Sequence, residues 1–154
     1  MTRAEEDFVH YVECIESLNH AWSIFQDLGT VEQPAAIHAA AFRFALIQYA
    51  KPYTRSDGTH ASRKLPSPQL EPELLTLHKR ILDLRNQVLA HSDLTVKEAQ
   101  LHIHTFVGKP YHIIASNYPE ALPSREAVIT LIERTLDQMY VESDRRLQSL
   151  PIKA

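Results

Sequence analysis

The stretch Ile81-Leu82-Asp83-Leu84-Arg85-Asn86-Gln87-Val88-Leu89-Ala90-His91-Ser92-Asp93 closes the clearest helical pattern in the chain. Upstream and through it, Leu74, Leu77, Ile81, Leu84 and Val88 alternate steps of three and four, the period of one helix face. The next step lands on His91, so a histidine continues an apolar stripe. Arg85 lies on the flank of the same helix with His78, Leu82 and Leu89. Pro72 suits a first helical turn, so this third helix is predicted from about Pro72 to about Ala90. Arginine keeps its charge in any protein environment, and histidine exchanges protons near neutral pH. At the end of an otherwise apolar helix, both need partners or a task.

Outward from this stretch the chain reads as mostly helical, with only 3 glycines in 154 residues. Phe8, Val12, Ile15, Leu18, Trp22, Phe25 and Leu28 form one stripe and predict a first helix over about residues 3–28, with Gly29 as a left-handed C-terminal cap. Cys14 sits in that apolar pattern and reads as inert packing. A second helix from about Pro34 to Ala50 is apolar nearly all round and predicts the central buried element; Pro52 ends it. Residues 52–70 read as a long polar loop, either functional or a solvated connector. Its Arg55, Arg63 and Lys64 could meet phosphate. Residues 99–116 change to a period of two: Leu101 to Val107, a turn at Gly108-Lys109, then Tyr111 to Ile114, a small hairpin. A last helix is predicted from Ser124 to about Leu150, with Val128, Leu131, Leu136, Met139, Leu147 and Leu150 facing inward. The order helix, helix, helix, hairpin, helix makes a single all-α domain over residues 1–154, most simply a four-helix bundle with a small β-hairpin before the last helix.

Composition removes several function classes. One cysteine rules out a disulfide scaffold and fits a reducing cytoplasm. The start, Thr2 to Asp7, is acidic and lacks a signal-peptide core, and the most apolar run, Ala35 to Ala50, is too short and polar to span a bilayer. A cytoplasmic protein without membrane contact is expected. The net charge of −3 excludes a strongly basic coat, so any RNA contact has to be a local basic site. No phosphate-binding glycine loop, Gly-x-Ser-x-Gly elbow or paired zinc cysteines occur.

The run Arg85-Asn86, then His91, followed by Ser92-Asp93, resembles the signature of the HEPN superfamily, four-helix-bundle proteins of defence, toxin–antitoxin and RNA-processing systems. It looks most like the abortive-infection type, and Tyr49-Ala50-Lys51-Pro52 also has that look. The commonest form of the motif places four residues between Arg and His, whereas five intervene here. The resemblance implies a metal-independent endoribonuclease, a homodimer with paired motifs in one cleft, no cofactor, and a protein partner such as an antitoxin. An RNA 2′-hydroxyl would attack its neighbouring phosphate. His91 would serve as base or acid, Arg85 would clamp the phosphate, and Asn86 would orient either. His78, two turns before Arg85, would extend the polar site. On an ideal helix Arg85 and His91 stand about 120° apart and about 9 Å along the axis, so one straight helix cannot close both on one phosphate. Either the helix ends before His91 or two subunits pool their motifs.

Two other readings stand beside this one. On residue types alone, Arg85 could hold helix-end carbonyls or Asp93, and His91 could cap the helix. A bundle of that kind would bind a partner protein or a nucleotide. His102 and His104, alternate residues of one strand, share a face and are weak candidates for a zinc site; His112 is expected on the opposite face. No third ligand is evident in the sequence.

Overall fold

The computed structural model describes residues 1–86, 100–115 and 122–151. Among them the chain forms four long helices, α1 (Arg3–Thr30), α2 (Ala35–Ala50), α3 (Pro72–Leu84) and α4 (Arg125–Ser149). A single turn of tighter helix, Lys51–Tyr53, follows α2. Four strands complete the described elements: β1 (Ser56–Asp57), β2 (Ser62–Arg63), β3 (Gln100–Phe106) and β4 (Lys109–Ala115). α1 packs along both α2 and α4, and α3 closes against α4 and α2. Each helix thus has two helical neighbours around one shared core.

α1 begins with a reciprocal cap. The Thr2 hydroxyl accepts from the Glu5 amide at 3.2 Å, and the Glu5 carboxylate accepts from the Thr2 amide at 2.6 Å. Its buried face is Tyr11, Cys14, Ile15, Leu18, Ala21 and Phe25. The face is rotated slightly from the predicted stripe, because the small and aromatic residues at 11, 14 and 21 take core places. Trp22, expected inside, lies at the rim with its indole N–H donating to Glu133 at 2.9 Å across to α4. An amphipathic ring with one donor suits such a boundary.

Gly29 is not a cap. α1 runs through it to Thr30, and Val31 closes the helix with its N–H on the Asp27 carbonyl. A Cβ at position 29 would run into the guanidinium of Arg125. That arginine donates to the Phe25 carbonyl at 3.0 Å, so the glycine leaves room for a tie from α4 onto α1. α2 is not buried all round either. Phe42, Ala45, Leu46, Gln48, Tyr49 and Ala50 are buried, whereas Ile37 and Phe44 are exposed. Only its C-terminal half is a core helix. In α4, which Ser124 caps, Val128, Leu131, Leu136 and Met139 face inward as expected, but Leu147 is exposed and Leu150 only half-buried.

The 52–70 connector has its own structure. β1 pairs antiparallel with β2, Ser56 opposite Arg63. Glu6 of α1 ties the turn between them down: its carboxylate accepts from the Thr59 and His60 amides and the His60 ring, and from Arg63 Nη2 at 2.8 Å. Arg63 Nε also reaches Asp7 at 2.7 Å. Arg63 is therefore committed to two carboxylates, not held out for phosphate.

The second hairpin forms where the alternation predicts it, but the turn is Val107-Gly108, one residue early. Both residues have positive φ, 49° and 72°, as a tight mirror-image turn requires. Moving the turn by one residue moves the register by two, so the faces are unchanged. His112 opposes Ile103, on the face away from His102 and His104.

Candidate active site at the end of the third helix

Arg85 stands at the C-terminal end of α3, its amide reaching back to the carbonyls of Ile81 and Leu82. At Arg85 and Asn86 the coil widens from α to π geometry. The side chain is half-buried, and Nη1 donates to the Asn86 side-chain oxygen at 2.9 Å. Among the described residues no carboxylate pairs with Arg85, so Asn86 orients the guanidinium without neutralising it. The motif's Arg and Asn are thus in contact. His91 lies outside the described residues, as do Ser92 and Asp93 and the rest of residues 87–99.

His78 is placed differently from expectation. The stripe put it on the outer flank with Arg85, yet it is wholly buried. Its Nδ1 and the Tyr49 hydroxyl are 2.8 Å apart, a hydrogen bond whose direction follows the tautomer. The Tyr53 ring meets it edge-on at 4.6 Å between centroids. Nε2 is buried with no hydrogen-bond partner. Burial, and then the nearby Lys79 charge, hold its pKa down to about 4. His78 is therefore a neutral core residue, not an exposed extension of the Arg85 site. Tyr49, part of the Tyr-Ala-Lys-Pro run to which the sequence attached no role, supplies the contact. Burial raises the pKa of both Tyr49 and Tyr53, so both phenols stay protonated. A partner 29 residues away leaves no periodic signal, and only the pairing of a buried tyrosine with a histidine could have hinted at it.

Elsewhere, Cys14 is buried and its thiol is pushed up to about 11 by burial and then by Glu13, so it is unreactive as expected. His102 and His104 stack face to face at 6.5 Å on one side of β3, and Tyr111 stacks on His104 at 5.4 Å. Among the described residues of one chain, no three histidine, cysteine or carboxylate side chains gather to hold a metal ion. A cleft of about 780 Å³ runs between the Leu65–Gln69 segment and α4, with Tyr53 and Thr135 in its wall and Arg145 and Arg146 at its rim. Among the described residues no helix is long and apolar enough to cross a membrane. No family model, curated protein or solved structure compared with the chain matches it significantly.

Proposed function

We propose that the chain is a metal-independent endoribonuclease of the toxin or phage-defence kind and a member of the HEPN superfamily. Two copies would bring two Arg85/His91 motifs to one cleft. The observation that carries this reading is the Arg85–Asn86 contact at the end of α3, where both residues leave α for π geometry. Such geometry is rare and concentrates at functional sites. The guanidinium beside neutral Asn86 keeps its full charge for a phosphorane. His91 moves the proton from the 2′-hydroxyl, and its mate in the second copy returns one to the leaving 5′-oxygen.

The test is incubation of the protein with a broad RNA pool in excess chelator. Cleavage should leave 2′,3′-cyclic phosphate ends. Arg85→Ala and His91→Ala should each lower the rate by roughly a hundredfold or more. An intact pool with wild-type protein overturns the nuclease reading. It would favour the rival, a non-catalytic bundle that binds a nucleotide or a protein such as an antitoxin. The cleft of ligand-sized volume along α4, where Arg145 and Arg146 both pair with Glu142, is the observation on that side.

A further inference from the structure

The β3–β4 hairpin has hydrophobic side chains facing solvent on both sides. Leu101, Ile103 and Ile114 project from one face and Phe106, Tyr111 and Ile113 from the other, between 47% and 72% exposed. A lone two-stranded hairpin is at best marginally stable in water. At about 200 Å² per large side chain these six present roughly 700 Å², close to the ~800 Å² per partner that a stable interface covers.

The two edges of this hairpin differ. Pro110 has no N–H, so Thr105 and Pro110 must form a non-hydrogen-bonded pair. Antiparallel pairs alternate, so Ile103↔His112 and Leu101↔Ile114 are also non-hydrogen-bonded. The amides and carbonyls of Leu101, Ile103 and Thr105 therefore point outward from the open side of β3. On β4 the matching outward positions are Pro110, His112 and Ile114; Pro110 denies one of the three donors, next to the charge of Lys109. β3, from Gln100 to Phe106, has no proline, lysine or glycine. Natural edges are normally guarded by such residues. This one is not.

We propose that β3 pairs antiparallel with β3 of a second copy about a two-fold axis at Ile103, and that the four imidazoles so gathered bind a zinc ion. With Ile103 opposite itself, Leu101 meets Thr105 of the second copy, and their outward groups exchange hydrogen bonds. His102 then lies opposite His104 of the second copy, and His104 opposite its His102. Both are non-hydrogen-bonded pairs in the new ladder, the kind with the closer side chains, about 4.5 Å between Cα atoms. All four rings project from one face. Among its described residues each chain alone offers two ligands, short of the three or four that zinc takes, and the pair supplies four. At 6.5 Å between ring centroids, His102 and His104 need to close by about 1 Å to reach one tetrahedral ion with Zn–N near 2.0 Å. Tyr111 stacks on His104 from the β4 side, which leaves the open side of β3 to the second copy.

The experiment is light scattering on the full chain at neutral pH, with zinc sulfate or with EDTA, alongside zinc analysis of the dimer peak. The expected result is one zinc per two chains, and a dimer dissociation constant at least tenfold weaker in EDTA. His102→Ala/His104→Ala should abolish zinc uptake and the effect of EDTA. Ile103→Pro should give a monomer whose helical circular dichroism matches wild type. One zinc per chain, no zinc, or a dimer unchanged in the Ile103→Pro variant overturns the proposal. The wild-type stoichiometry decides the zinc site even if a variant misfolds. The Arg85 assay reads RNA ends rather than zinc content and is run at chain concentrations above the dimer dissociation constant in EDTA, so the two readings fail separately.

Discussion

His78 shows how a single residue can carry a measurable signature. The core keeps it neutral, with a pKa near 4 against an ordinary 6.5. Between those values the unfolded chain binds a proton that the folded chain refuses. Stability should therefore be full above pH 6.5 and fall as pH drops towards 4, by about 3 kcal/mol in all. Urea unfolding between pH 7.5 and 4 checks this, and His78→Leu should remove most of the slope in that window, leaving the smaller part that burial of His10 contributes. Glu6 acts lower: there too the folded chain refuses the proton, but the form it keeps is the charged one. Burial works to raise its pKa, but the bonds from His60, Thr59 and Arg63 prevail and hold it at about 2. Its contribution is present above pH 4.5 and disappears only as pH falls towards 2. A loss largely developed by pH 4 in wild type, and much smaller in His78→Leu, separates the two groups.

Among the elements, the β1–β2 segment depends most on a few atoms. Its turn is held to α1 chiefly through the Glu6 carboxylate. Glu6→Gln removes the charge from that hub while keeping its size. The amides of Thr59 and His60 should then exchange at least about tenfold faster, with α2 and α4 unchanged, as hydrogen exchange can show. The same scale separates what the sequence made legible from what it did not. Helix positions and the hairpin followed from periods of 3.6 and 2, because those are local. Gly29 looks like a cap in the sequence because its actual reason, the Arg125 guanidinium, lies on another helix. Ile37 and Phe44 of α2 are exposed although the helix is apolar nearly all round, because apolarity does not reveal which neighbours a helix has. Of the candidate site, Arg85 and Asn86 were legible as chemistry. Their π geometry was not, since no residue type marks it. His78 was visible as a histidine but not as a core residue, because burial by Tyr49 and Tyr53 is a tertiary fact.

For the whole molecule, the charge balance sets how RNA can be held. With a net charge of −3, no general basic field gathers RNA, and the proposed grip is two Arg85 side chains per dimer. Two neutralised phosphates predict a shallow salt dependence, with log K falling against log salt at a slope of about −1.4. Fluorescence anisotropy with a short single strand between low and physiological salt measures it. A slope several times steeper would mean that phosphates are gripped elsewhere. The position of Pro110 has a consequence of another kind. A hairpin open at both edges would add copies one after another, and its exposed leucine, isoleucines and phenylalanine would favour a growing fibril. Here the two edges are unequal. Once two chains have joined, the outer strand on each side lacks the Pro110 donor and keeps only His112 and Ile114 as full pairing positions. A third strand meets a poorer ladder than the second did, which tilts a sticky surface away from open-ended growth.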